Sequence, residues 1–223
     1  MLICLYNVHL YILLLTFKAG QKTLLGDCPF CHRVRMTAAL KNVEPELVFV
    51  DVTRKPESFL KLGGSSVPLM RHDELILKDS NAISHYFDEK FPPSNLLETN
   101  DKSYDSAGAA IFGKFVPFVK NKDSDLDNSL RKSLLDEMRI FNDFLSSRPH
   151  RFIASDNLTH PDCSLLPKLY HIKVAGKFFK NFDIPKDFAR MHEYVQAGFK
   201  TDAFKKTAYQ ESEIIAGWQK HME

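Results

Sequence analysis

An α/β N-terminal half followed by an all-α C-terminal half is the architecture this sequence predicts, and three observations carry it. Segments before residue 92 alternate between valine- and leucine-rich strand patterns and helix patterns, in the order βαβ, then α, then ββα. Pro92-Pro93-Ser94-Asn95 then stops the last of these helices and marks a boundary. Beyond it the long segments repeat their apolar residues at helical spacing. The expected domains are therefore 1–92 and 93–223. The 223 residues are 44% hydrophobic and 26% charged, ordinary for a chain that buries a sizeable core. A net charge of +2, with no long run of one sign, argues against a nucleic-acid binder. Cys4, Cys28, Cys31 and Cys163 are too few and too scattered for a secreted disulfide framework, so a reducing, cytoplasmic compartment is expected.

Residues 1–17 are largely apolar, interrupted by Asn7 and His9. They lack a basic leader region, Lys18-Ala19-Gly20 is a poor cleavage site, and the stretch falls short of the about 20 apolar residues a spanning helix needs. Residues 10–18 read instead as a strand covered on both faces, because they do not alternate. Residues 19–27 form a loop, and residues 28–42 a helix with Phe30, Val34, Ala38 and Val43 roughly along one face and Asn42 as its end. A valine-rich second strand spans 46–52. A short helix, 55–62, starts at Pro56, and Gly63-Gly64-Ser65-Ser66 is a loop. Residues 67–70 and 75–77 frame a hairpin around His72-Asp73-Glu74. Asp79-Ser80 caps a helix that runs through Phe91. This order is a thioredoxin-like layout. In the helical half, 106–120 carries Ile111, Phe115, Phe118 and Val119, and 126–145 carries Leu130, Leu134, Met138, Phe141 and Leu145. Residues 146–158 connect. Thr159-His160-Pro161-Asp162 is a capping-box start to a helix reaching about Lys177, which Pro167 kinks or restarts. Residues 188–199 and 202–207 are two more short helices.

The chemistry concentrates at Gly26-Asp27-Cys28-Pro29-Phe30-Cys31-His32-Arg33. Pro29 suits the first turn of a helix, where a missing N–H costs nothing. Cys28 then sits at the N-cap, beside unpaired backbone N–H groups and the positive end of the helix dipole. A thiolate is stabilised there, and a thiol normally near pKa ~8.5 falls. Cys31, three residues on, either pairs with Cys28 as a C-x-x-C disulfide or packs as a small hydrophobe. Cys-Pro-Phe-Cys-His formally matches a haem attachment signature, but nothing around it reads as a secreted haem protein. A zinc site on these thiols would need two further ligands at suitable spacing, and Cys163 and the scattered histidines do not supply them. No metal is expected.

A thioredoxin-like half, a proline-marked link and an all-helical half together resemble the cytosolic glutathione transferase fold. Locally, Lys18-Ala19-Gly20, the Cys-Pro-Phe-Cys segment, Arg54-Lys55-Pro56, Val67-Pro68, Asp79-Ser80 and the runs at 111–123 and 165–185 resemble two sister families. These are the glutathione-dependent dehydroascorbate reductases and the chloride intracellular channel proteins. The resemblance covers about residues 10 to 220. Glu213-Ile214-Ile215-Ala216-Gly217-Trp218 and the short 146–158 connection are similar to the reductases, whereas Asn181-Phe182-Asp183-Ile184-Pro185-Lys186 reads like the channel proteins. Residues 1–9 match neither, and the 63–66 loop is a residue short.

The resemblance implies a glutathione site. Val67-Pro68 matches a cis-proline turn that presents the Val67 backbone to the peptide backbone of glutathione. Asp79 and Ser80 open a helix whose N–H groups bind the γ-glutamyl carboxylate, with Asp79 on the ammonium. Lys55 pairs with the glycine carboxylate, and Lys18, Asp27 and Phe30 flank dehydroascorbate near Cys28. The implied activity is reduction of dehydroascorbate to ascorbate by Cys28, with glutathione as co-substrate and Cys31 as a possible resolving thiol. No permanent cofactor is needed, since sulfur carries both electrons. A monomer is expected. The alternative is a redox-regulated channel-type protein that inserts residues 10–17 and 28–42 into a membrane. His32, Arg33, Arg35 and Lys41 oppose that, and in a water-soluble fold these charges are expected at the surface.

Overall fold

The computed structural model describes residues 10–14, 26–51, 54–93, 97–99 and 101–222. Its strands lie in the order β2-β1-β3-β4. Strand β1 (Leu10–Leu14) is internal, parallel to β2 (Glu46–Phe49) and antiparallel to β3 (Leu69–His72). A parallel pair needs a crossover, and α1 (Pro29–Leu40) supplies it. Strand β4 (Leu75–Leu77) returns from β3 through Asp73-Glu74, with Asp73 at φ 53. Helix α2 (Glu57–Lys61) lies between β2 and β3, and α3 (Ser80–Lys90) follows β4. The thioredoxin-like layout read from the sequence is present, and Asn42, at φ 52, ends the first helix turn as expected.

Helices make up the rest: α4 (Ser103–Ser106), α5 (Ile111–Lys120), α6 (Ser124–Ser146), α7 (His160–His171), α8 (Lys177–Lys180), α9 (Ala189–Phe199), α10 (Asp202–Thr207) and α11 (Glu211–Met222). The helix expected over 106–120 is broken at 107–110, where Gly108 takes φ +68 and packs so closely that a Cβ there would lie 2.7 Å from Leu165. Helix α7 starts at His160 despite Pro167 and runs on through a π-helical turn, Ile172–Gly176, into α8. Its capping box is formed: the Thr159 N–H donates to Asp162 Oδ2 at 2.8 Å. The sequence reading did not anticipate α11.

Helix α1 is the hinge of the design. It packs against α3 on one side and against α7 and α10 on the other. Val34 and Ala38 join Ile83 and Phe87 in one cluster, while Met36 joins Phe115, Met138, Phe141, Leu166 and Trp218 in the larger helical core. The expectation that its charges stay at the surface is corrected: His32, Arg35 and Lys41 are buried. A helix covered on two sides has little solvent face left, so each of these three side chains finds an internal partner, though His32 Nδ1 stays without one. Lys41 Nζ pairs with Asp88 Oδ1 at 2.8 Å and donates to the Asp88 and Pro93 carbonyls. Arg35 donates to the Thr207 carbonyl at 2.8 Å, and His32 Nε2 lies 3.1 Å from Thr207 Oγ1. Phe30 also leaves the expected face. It is 42% exposed and turns toward α7, where Lys168 Nζ lies 5.8 Å over its ring.

Two consequences are measurable. Lys41→Ala leaves the Asp88 carboxylate buried without its cation, so unfolding in urea should show a loss of about 3–5 kcal/mol. His171, on α7, accepts from Trp218 Nε1 at 3.1 Å and is pushed down to about 3, by burial above all and also by His221, against a hydrogen bond that the ring donates to the Asp27 backbone carbonyl. An unfolded histidine takes up a proton near pH ~6.5. Below that pH the unfolded chain binds a proton that the folded chain refuses, so stability is lost as pH falls from about 6.5 toward about 3. The share from His171 should be about 2 kcal/mol between pH 7 and pH 5. Urea midpoints at the two pH values should fall less steeply in His171→Asn, which keeps an acceptor for Trp218 but does not titrate.

Candidate active site

Cys28 is the N-cap of α1, with Pro29 in the first turn, as the sequence predicts. The thiol is half-buried, and its Sγ faces the Val67 carbonyl at 3.9 Å. Its pKa is lowered from the ordinary thiol value. The largest cause is a hydrogen bond from the Cys31 thiol, and the backbone N–H groups of Cys31 and Phe30 act the same way; burial and the nearby Asp27 charge oppose them. Cys31 is fully buried, and its own pKa is pushed well up by burial and by the Cys28 thiolate. The pair is thus asymmetric: Cys28 carries the negative charge and Cys31 holds the proton that stabilises it. Both are free thiols, as is Cys163, which burial pushes up to about 12.

The positions implied by the resemblance fall into three groups. The Val67–Pro68 peptide is cis, Pro68 is buried, and Val67 stands against Cys28. Asp79 Oδ1 accepts from Asn81 N and Ala82 N at 2.9 Å, with Ser80 buried in the first turn of α3. Arg33 Nη2 donates to Asn81 Oδ1 at 2.6 Å and so ties the start of α1 to the start of α3. Cys28 and Val67 thus meet directly, and Arg33 links their helix to the start of α3. Phe30 borders the other side. Lys55 stands exposed just ahead of α2, and Lys18 lies outside the described residues. Asp27 is buried, and it lies so close to α11 that a Cβ on Gly217 would come within 1.7 Å of its Oδ2.

Two residues near the thiol escaped the sequence reading. Tyr209, between α10 and α11, donates its hydroxyl to the Cys28 carbonyl at 3.2 Å and lies under the Arg35 guanidinium at 5.5 Å. Lys168, on α7 beside Phe30, is pulled down to about 8, chiefly by burial and then by Arg33. Tyr209 is 181 positions from Cys28 and carries no local motif, so only tertiary packing reveals it. Lys168 lies within a run already quoted for the resemblance, but its place beside Phe30 depends on how α7 packs on α1.

A sheet-bearing half with an activated thiol at the first helix, a cis-proline turn and a capped α3, joined to a helical half, defines a thiol protein of the glutathione transferase fold. Residues 27–90 match the glutathione S-transferase N-terminal domain. The chain is 37% identical over 196 residues to glutathione S-transferase DHAR3, chloroplastic, of Arabidopsis thaliana, covering 87% of this chain and 74% of that protein. The crystal structure of Chlamydomonas reinhardtii dehydroascorbate reductase superposes with a TM-score of 0.82 at 28% identity, over 95% of this chain and 98% of that one. The CLIC homologue EXC-4 from C. elegans shares the fold with a TM-score of 0.81 at 21% identity, over 96% of this chain and 82% of that one. The chain belongs to the glutathione S-transferase family, in its dehydroascorbate reductase branch.

The asymmetry of the thiol pair has a direct readout. Iodoacetamide should label Cys28 and spare buried Cys31 and Cys163 in the folded protein, as peptide mass spectrometry reports. The pH at half-maximal labelling rate should lie below that of an ordinary thiol, near ~8.5. Because the Cys31 thiol donates to Cys28, Cys31→Ala should move that midpoint to higher pH, while Cys31→Ser, which keeps a donor, should move it less.

Proposed function

We propose that this protein reduces dehydroascorbate to ascorbate at the expense of two glutathione molecules, with Cys28 as the nucleophile. One observation carries the reading: a half-buried thiol with lowered pKa faces the Val67 carbonyl of the cis-proline turn, in a chain of this family. That thiol is where a peptide thiol such as glutathione docks with its backbone along Val67.

The chemistry follows from sulfur. The Cys28 thiolate adds to a carbonyl carbon of dehydroascorbate, forming a C–S bond. A glutathione thiolate then attacks Cys28 Sγ; the C–S bond breaks, its electron pair and a proton leave with ascorbate, and a Cys28–glutathione disulfide remains. A second glutathione attacks that disulfide, releasing oxidised glutathione and the Cys28 thiolate. Two thiols are oxidised and one dehydroascorbate is reduced. Sulfur carries both electrons, so the reading requires no resident cofactor or metal.

In this reading the N–H groups at the start of α3, with Ser80, hold the γ-glutamyl carboxylate. Asp79 uses Oδ1 to cap α3, which assigns Oδ2 to the glutathione ammonium. Lys55 takes the glycine carboxylate. Phe30 borders the dehydroascorbate side together with Lys168, and Lys18 completes it. Asp27, packed on Gly217 directly ahead of Cys28, flanks the dehydroascorbate side as well. The cysteine usage favours a reducing, cytoplasmic setting. Among the described residues no helix is long and apolar enough to cross a membrane.

Ascorbate formation, followed by its ultraviolet absorbance with purified protein, glutathione and dehydroascorbate, tests the reading. Cys28→Ser should lower turnover by at least about a thousandfold, the scale of nucleophile removal. Cys31→Ser should keep substantial turnover, because glutathione does the resolving. Wild-type-like activity in Cys28→Ser would overturn the mechanism, and an equal collapse in Cys31→Ser would make Cys31 the resolving thiol.

A further inference from the structure

We propose that His85, Glu98 and His160 form a binding site for a divalent transition-metal ion, of which zinc fits best, at the joint between the sheet-bearing and helical halves. The three residues come from separate segments. His85 is on α3, Glu98 lies in the connection after it, and His160 opens α7. Folding brings one donor atom from each within 4.8 Å of the others. His85 Nδ1 lies 2.8 Å from Glu98 Oε1, and His160 Nε2 lies 3.8 Å from the same oxygen. Tetrahedral zinc, with ligand bonds of about 2.0–2.2 Å, sets neighbouring donors about 3.4 Å apart, so the two observed spacings bracket what the ion requires.

The second observation is His160 itself. It is 3% exposed, and neither of its ring nitrogens makes a hydrogen bond among the described residues. Asp88 Oδ2, which also accepts the Leu97 N–H, lies 3.3 Å from Nε2 as an ion-pair contact outside strict hydrogen-bond geometry. A buried imidazole with neither nitrogen satisfied costs folding free energy, and native structures rarely keep one without a ligand, ion or water to explain it.

The surroundings suit an ion. Two imidazoles and one carboxylate favour zinc and its transition-metal neighbours over magnesium or calcium, which take oxygen ligands. Glu98 is half-exposed and lines a surface groove of about 890 Å³ shared with Asp101, Tyr104 and Thr159, so the carboxylate side of the cluster is open to solvent. An ion held by α3, the connection and α7 would brace the two halves against each other, since anything that binds only the folded state stabilises it.

The test uses full-length, chelator-stripped Cys28→Ser protein, which removes the accessible thiolate as a competing ligand, beside the wild type. Zinc chloride should bind with a stoichiometry near one by isothermal titration calorimetry and raise the melting temperature. His85→Ala and Glu98→Gln, both at partly exposed positions that folding tolerates, should each weaken binding at least about tenfold, since even outer-shell partners of a metal site cost that much. Cobalt, as a coloured substitute, should give visible d–d bands with no sulfur-to-cobalt charge-transfer band. Absence of saturable binding, binding unchanged in His85→Ala, or a charge-transfer band would each overturn the site.

Discussion

The burial of α1 between α3 and the helical half is the constraint on which the rest of the structure depends. A helix flanked on two sides presents its N-terminus at a seam, and Cys28 sits there. One peptide group joins the parts: the Cys28 carbonyl accepts from the His32 N–H within α1 and from the Tyr209 hydroxyl beyond α10. The same seam accepts Asp27 under α11 and Arg33 on α3. The thiol is therefore positioned by four segments that are distant in sequence, and its half-buried state follows from them.

Such a seam buries polar groups, and the chain answers most of them with a partner. Lys41 and Asp88 are nearly inaccessible, and the lysine satisfies its donors on a carboxylate and two carbonyls. A buried ion pair with these extra hydrogen bonds adds little net stability over a hydrophobic isostere, but it penalises any other arrangement of α1 and α3 severely. Arg35 and His32 do the same toward Thr207. These contacts set how the halves meet, while the apolar mass of the helical core supplies most of the stabilisation. Among the described residues His32 Nδ1, Arg33 Nε and both ring nitrogens of His160 are left without a hydrogen bond.

The thiol pair shows how chemistry is tuned by context. Helix N–H groups lower the Cys28 pKa, yet the largest single contribution comes from the Cys31 thiol. Burial keeps Cys31 protonated, which is what allows it to donate. A residue that reads as a disulfide partner or a packing atom thus serves as a hydrogen-bond donor to the nucleophile.

The sequence by itself determined the thioredoxin-like order of elements, the N-cap position of Cys28, the Asp79 cap and the capping box at Thr159, because each depends on residues within a few positions of one another. Gly108 in the left-handed region and α11 were not read, since the first depends on a close approach to Leu165 and the second lacks a strong apolar period. The burial of His32, Arg35 and Lys41 ran against the local pattern, which gives charged side chains to solvent unless a partner is known. Only the tertiary structure decided those partners, the place of Tyr209 beside Cys28, and the meeting of His85, Glu98 and His160. These groups lie from 13 to 181 residues apart, and no local spacing records which faces of α1, α3 and α7 will pack together.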